Sequence, residues 1–255
     1  MQRLKVKNQS SESNRKSKCR RQIENPSQSA MLVMVKAPRT GEVKTRLTPF
    51  LSLQQAAELA SCFAQDTIAK SLQITRNVIV AYTPSDGRTT LEELLPDGLI
   101  WIEQRGENLG ERMTNAFLDA FAKGFSPIVM IGTDSPTLPV EFIEKTIESL
   151  SNDESDLVLG KTEDGGYYLI ALRHSFDEKL LTEIEWSTPK VFEQTVRNAE
   201  RLNLRLKTLP VWYDVDEPQD LIRLEKELRD DEENQRRAPS TCRWLMQKPS
   251  PLGSV

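Results

Sequence analysis

Apolar residues along this chain follow two alternating periods. Short runs such as Met31–Val35, Val78–Tyr82, Ile128–Ile131 and Tyr167–Leu172 are apolar at nearly every position. That is the pattern of strands buried on both faces, as in a parallel sheet. Between them, apolar residues recur every three or four positions. Leu53, Ala57, Ala60, Ala64, Ile68 and Leu72 fall on one face of a helix over 52–72, which Ser52 and Gln55 open as a capping box. The same reading places a short helix over 89–95, a strand over 99–102 and helices over 109–123 and 140–150. A strand over 156–159, a helix over 189–202, a strand over 204–209 and a helix over 217–229 complete it. This alternation predicts an α/β fold, a three-layer sandwich with a mostly parallel central sheet and helices on both faces.

No gap in the alternation leaves room for a second core, so one domain is expected over 31–229. Residues 1–30 carry eight Lys or Arg against two acids and almost no large apolar residue. They are expected to form a disordered basic tail. From Asp230 an acidic run leads through Arg236, Arg237 and Pro239 to Pro249 and Pro251, so 230–255 is expected to be a mobile C-terminal tail.

Composition then removes several function classes. A formal charge of −4 gives no global reason to bind nucleic acid or acidic lipid, which leaves the basic N-terminal tail as the one route to such a partner. No run of eighteen apolar residues could span a membrane. Cys19, Cys62 and Cys242 are odd in number and scattered. That argues against a disulfide framework or a zinc site and points to the reducing cytoplasm. Cys62, among small apolar helix residues, reads as a packed thiol, and the only histidine, His174, has no surroundings that suggest a catalytic triad.

Chemistry concentrates at the ends of the apolar runs. After Met31–Val35 come Lys36, Arg39, Lys44 and Arg46, four cations within eleven residues punctuated by Pro38 and Gly41. Such a loop suits a phosphate, with Arg46 as a planar fork and Lys36 and Lys44 as point charges; a solvated basic loop is the plain alternative. It is not a Walker loop, because Val43 and Pro38 stand where that motif needs glycine. Ile128–Ile131 runs into Gly132, Thr133 and Asp134, which puts a carboxylate at the ligand-binding edge of a parallel sheet. Asp134 is a candidate for a divalent cation on phosphates, or else a helix N-cap. Asp214, Asp216, Glu217, Pro218 and Asp220 form a second acidic group that opens a helix and can also supply a metal ligand. Glu163-Asp164-Gly165-Gly166 is either a tight turn or a place where Asp164 meets an acceptor hydroxyl.

Six motifs in order over about 31–228 resemble the GT-A-fold family labelled radical-SAM/selenodomain-associated transferase 1. They are Lys36-x-Pro38-x-x-Gly41-x-Val43-Lys44-Thr45-Arg46-Leu47, Asn108-Leu-Gly110-Glu-Arg112-Met113, Ile131-Gly-Thr133-Asp134-Ser135-Pro136, Glu163-Asp164-Gly165-Gly166-Tyr167-Tyr168, Trp186-Ser187-Thr188 and Asp214-Val-Asp216-x-Pro218-x-Asp220-Leu221. The resemblance implies a nucleotide-diphospho-sugar transferase fold, similar to nucleotidyltransferases of molybdenum-cofactor and phospholactate chemistry. It implies a glycosyltransferase-like enzyme with Mg²⁺ or Mn²⁺, a nucleotide or nucleotide-sugar donor and a small acceptor. Nucleotidyl transfer from an NTP with release of pyrophosphate, and non-catalytic nucleotide binding, are the alternatives. On this resemblance Lys36, Pro38, Gly41, Lys44, Arg46, Gly110 and Thr133 would hold the nucleotide. Asp134 and Asp214 would hold the metal, with Asp216 in support. Lys44, Arg46 and Asp164 would act in catalysis. The chain departs from the pattern in having Asp134-Ser135-Pro136 where many such enzymes carry Asp-x-Asp, and Ser187 where the family commonly has glycine.

Overall fold

A computed structural model describes residues 28–48 and 50–247; the N-terminal tail assigned to 1–30 therefore lies almost wholly outside the described residues, as do 248–255. The chain runs β1 (Ala30–Lys36), α1 (Leu53–Ile74), β2 (Val78–Thr83), α2 (Arg88–Leu94), β3 (Ile100–Glu103), α3 (Leu109–Ala122), β4 (Ile128–Ile131), α4 (Val140–Ser151), β5 (Leu157–Thr162), β6 (Tyr167–Leu172), α5 (Val191–Arg201), β7 (Leu206–Trp212), α6 (Pro218–Asp230), α7 (Glu232–Arg237) and α8 (Pro239–Gln247). The seven strands form one sheet in the order β3-β2-β1-β4-β6-β5-β7. Only β6 runs against its neighbours, pairing antiparallel with both β4 and β5. The expected mostly parallel three-layer α/β fold is present.

Burial on both faces explains why the strands are continuously apolar. Leu32, Ile79, Met130 and Ile170 pack on one face against Met113 and Phe117 of α3 and Val191 and Ala199 of α5. Met31, Val33, Val80 and Val129 pack on the other against Ala64 and Ile68 of α1, Leu91 of α2 and Ile143 of α4. α1 begins where the sequence indicates: the Ser52 hydroxyl accepts from Gln55 N and the Gln55 side chain accepts from Ser52 N.

The C-terminal expectation is corrected. From Glu232 to Gln247 the chain forms two helices, not a free tail, and they close a third apolar cluster. Leu59 and Phe63 of α1 meet Leu221, Leu224 and Leu228 of α6, Ala238, and Leu245 of α8. The anchor is Asp66 in α1, 1% exposed. Its carboxylate accepts from Ser240 N at 2.8 Å, Thr241 N at 2.8 Å and the Thr241 hydroxyl at 2.6 Å. A buried carboxylate at the amide end of α8 satisfies orphan donors there. A partner 174 residues away leaves no local trace in the C-terminal sequence.

Topology brings the chemistry to one edge. β1, β2, β4, β5 and β7 all end there, and β6 starts there because it runs the opposite way. The loops after β1, β4 and β7 and the β5–β6 turn therefore converge. Strand order reverses between β1 and β4, and that is where doubly wound sheets open a ligand crevice.

Candidate functional site

A cleft of about 560 Å³ opens at this reversal. Val35 and Lys36 border it from β1, Met130 to Asp134 from β4 and its loop, and Lys44 to Arg46 from the basic loop. The loop gains its shape from two left-handed residues. Gly41 has φ of 81°, where a side chain would be strained, and Lys44 takes φ of 48° despite carrying one. A 3₁₀ turn over Thr45–Leu47 follows, and buried Leu47 fixes it to the core. The left-handed kink turns the Lys44 side chain inward.

Lys44 is the hub of the site. Its side chain is only 8% exposed, and Nζ lies 2.5 Å from Asp134 Oδ1 and 2.8 Å from Asp216 Oδ1. It also donates to the Val215 carbonyl at 2.8 Å and stands 5.6 Å from the Phe63 ring centroid. Burial alone would push the ammonium to a lower pKa, but Asp134 and Asp216 together outweigh it and the pKa is raised. The acidic loops are tied together by backbone: Val215 N donates to Asp134 O at 2.8 Å, and the Ser135 hydroxyl donates to Tyr213 O at 2.8 Å.

Asp214 is placed differently from Asp134 and Asp216. Desolvation and the negative field of Asp164, Asp216 and Asp134 push its carboxyl up to about 7. Lys44 spends its donors on the other two acids, so Asp214 is the under-compensated carboxylate of the cluster. Among the described residues no group of three or more His, Cys, Asp or Glu side chains forms a ready metal site. The donor chemistry nonetheless fits a divalent cation. Hard carboxylate oxygens gather around one ammonium with negative charge to spare, and Mg²⁺ needs only one or two of them beside phosphate and water.

The raised Asp214 pKa gives a pH prediction for the metal-free protein. An unfolded Asp titrates near 3.9, so the folded state holds this proton more tightly. Stability from this group is then full below about pH 4 and is lost as pH rises through about 7. Asp214→Asn is expected to be more stable than the parent at pH 8 in chelator. After discounting for partial solvation, the gain is about 1–2 kcal/mol. Urea unfolding at pH 8 and pH 4 checks this, and a gap that does not narrow in acid would contradict the assignment.

The remaining sequence candidates divide. Lys36, Arg46 and Thr133 line the cleft; Lys36 Nζ donates to Glu42 O at 2.7 Å and so braces the loop, and Arg46 is exposed. Pro38 and Gly41 shape the loop without bordering the cleft. Gly110, at the start of α3, is closely packed: a Cβ there would lie 2.6 Å from Trp186 Nε1 and 2.8 Å from Leu181 O. Asp164 closes the tight turn between β5 and β6, where its Oδ1 accepts from Gly166 N at 3.0 Å and from the Thr162 hydroxyl. Ser187 has φ of 63°, in the left-handed region that glycine adopts most readily.

Sequence reasoning missed Gln104 and Arg112, both of which line the cleft. Gln104 Nε2 donates to Ala81 O at 2.7 Å, and Arg112 Nε donates to Gly106 O at 3.1 Å. Arg112 stood within a quoted motif; Gln104 had no signal beyond its place after a strand. Cys62 fits the packed-thiol expectation, since burial pushes its thiol up to about 11. Among the described residues no helix is long and apolar enough to cross a membrane.

Comparison with known proteins agrees with this architecture. A crystal structure from Desulfovibrio desulfuricans G20, provisionally assigned as a nucleotide-diphospho-sugar transferase, is 33% identical. The match covers 87% of this chain and 95% of that one, with a TM-score of 0.80. The 4-diphosphocytidyl-2C-methyl-D-erythritol synthase of Anaerococcus prevotii DSM 20548 is 10% identical over 80% of this chain and 99% of its own, with a TM-score of 0.54. The molybdopterin-guanine dinucleotide biosynthesis protein A of Archaeoglobus fulgidus is 14% identical over 79% and 100%, with a TM-score of 0.50. These two share the fold. No curated protein matches the chain. The family model described as "Uncharacterized protein conserved in bacteria (DUF2064)" matches residues 67–188. With one third identity to the Desulfovibrio protein over nearly the whole of both chains, the chain belongs to the same family as that protein and has the nucleotide-diphospho-sugar transferase fold.

Proposed function

We propose that the protein is a transferase that binds a nucleotide-activated donor, an NDP-sugar, with Mg²⁺ or Mn²⁺ and passes the activated group to a small acceptor. One observation carries the reading. Lys44 is buried between Asp134 and Asp216 at the strand-order reversal, with Asp214 left short of positive charge beside it. Asp134 and Asp214 would hold the metal, which would supply positive charge to the departing diphosphate. Lys36 and Arg46 meet phosphate oxygens from the basic loop, Arg46 through two parallel hydrogen bonds. Lys44 holds Asp134 and Asp216 in register. Asp164 keeps the β5–β6 turn closed over the site, where an acceptor hydroxyl would approach. The free thiols of Cys62 and Cys242 suit the cytoplasm as its setting.

Nucleotidyl transfer is the second reading, and one feature favours it. After β4 the chain carries Asp134-Ser135-Pro136, so Pro136 stands where sugar transferases of this fold often have a second carboxylate. In that reaction an acceptor phosphate oxygen bonds to the α-phosphorus of an NTP and pyrophosphate leaves.

A melting panel tests the shared part of both readings. Nucleotide and metal together, at about a hundred times Kd, should stabilise the protein by about 2.7 kcal/mol. For a domain of this size that is a rise of about 5–10 °C. No shift across NTPs and NDP-sugars with either metal would remove the proposal. Product analysis then separates the two: NDP from a sugar nucleotide supports glycosyl transfer, and pyrophosphate from an NTP supports nucleotidyl transfer.

A further inference from the structure

Lys70 is a buried ammonium outside the cleft. It sits in α1 and is 3% exposed. Its Nζ donates to the Pro136 carbonyl at 2.8 Å and to the Leu138 carbonyl at 2.8 Å. Asp66, one turn earlier in α1, is engaged with the start of α8. Burying a lysine on carbonyls alone is costly, and desolvation pushes this one down to about 7. The side chain is therefore held there for what it binds.

What it binds is the loop that carries Asp134. That loop is pinned on its β7 side by Val215 N on Asp134 O, by the Ser135 hydroxyl on Tyr213 O and by the Thr137 hydroxyl 3.3 Å from the Tyr213 hydroxyl. Within the loop, Leu138 N donates to Ser135 O at 3.1 Å. On its α1 side the two carbonyls two and four residues past Asp134 both converge on Lys70. A neutral amine retains two N–H donors, matching these two acceptors, so the pinning does not require the charge.

We propose that Lys70 is a positioning residue that fixes the Gly132–Leu138 loop from the side opposite β7 and so sets the Asp134 carboxylate against Lys44 and Asp214. The consequence for metal binding rests on the transferase reading above; the restraint on the loop does not.

Amide hydrogen exchange on the full chain without ligand tests the restraint. In Lys70→Met, exchange at Leu138 and Val215 should quicken at least about tenfold, while Val33 in β1 should change less than about twofold. Phe117→Leu, a core change on the other sheet face, should show no such selectivity. Should Lys70→Met fail to fold, Lys70→Gln decides. Its amide sits on a chain one atom shorter and reaches one carbonyl at most, so a rise of at least about threefold at Leu138 is expected. Unchanged loop amides in the variant that folds, or an equal rise at Val33, overturn the proposal. A second arm titrates Mn²⁺ in the presence of UDP-glucose or CTP, where Lys70→Met should weaken Mn²⁺ binding at least about tenfold. Wild-type affinity there shows that the loop restraint does not reach Asp134 and overturns that half of the proposal. A parent protein that binds no Mn²⁺ with either nucleotide instead removes the transferase reading, and the exchange arm still decides the role of Lys70.

Discussion

Asp134→Asn is expected to lower turnover about 10²–10³-fold with little change in unliganded stability. The asymmetry comes from what asparagine keeps. The backbone carbonyl of residue 134 goes on accepting from Val215 N, and Lys44 retains Asp216 and the Val215 carbonyl, so the loop stays in place. The Asp134 side chain is 46% exposed, so its pairing with Lys44 contributes modestly to folding. Lost instead is an anionic oxygen that would hold the divalent cation, and it is the cation that would offset charge on the departing diphosphate. Asp214→Asn should cost a similar factor in turnover, and Asp216→Asn less, about tenfold, because Asp216 acts through Lys44. Steady-state kinetics and Mn²⁺ titration on the three variants provide the check. Near-normal turnover in Asp134→Asn would sink the metal assignment. Equal losses at 214 and 216 would mean that both carboxylates meet the metal or that neither does.

Fold and site were legible in the sequence to different depths. β4 and β6 have the predicted bounds because their apolar runs stop abruptly at Gly132 and at Gly166. The Ser52–Gln55 box marked the start of α1 because both halves of a cap lie within four residues. β7 was harder. It is an edge strand with no fully buried residue, and Pro210 lies inside it, which an edge tolerates but a sequence reader takes as a stop. α8 was lost for another reason: its docking depends on Asp66, and a single buried carboxylate in a distant helix leaves no mark on local periodicity.

At the site, the pairing of a basic loop with acidic loops followed from strand ends meeting at one edge. The division of labour among the acids did not. Asp214 and Asp216 share the same parity along the chain, and only the reach of Lys44 from its left-handed backbone shows that 216 is paired while 214 is left under-compensated. Gly110 carries a constraint that its own motif does not announce: Trp186, far along the chain, occupies the space a side chain would need.

Lys44→Met should be the most destabilising single change at the site. Removing one partner of a buried ion pair costs about 3–5 kcal/mol. Here Asp134 and Asp216 are 46% and 39% exposed, so water recovers part of the loss and about 2–3 kcal/mol is expected. The Val215 carbonyl also loses its donor, and Asp134, Asp164, Asp214 and Asp216 are left to repel one another without the ammonium. That excess of negative charge makes a second, more discriminating expectation. Millimolar Mg²⁺ without nucleotide should raise the melting temperature of Lys44→Met by more than it raises the parent's, because in the variant the cation meets carboxylates that Lys44 no longer neutralises. Sodium at matched ionic strength should recover much less, since general screening is weak for close, partly buried charges. A variant that melts like the parent would show that Lys44 does not hold the acids together. A variant that is destabilised but indifferent to Mg²⁺ would show that the acids do not form a cation site, and would leave the basic loop alone to bind phosphate.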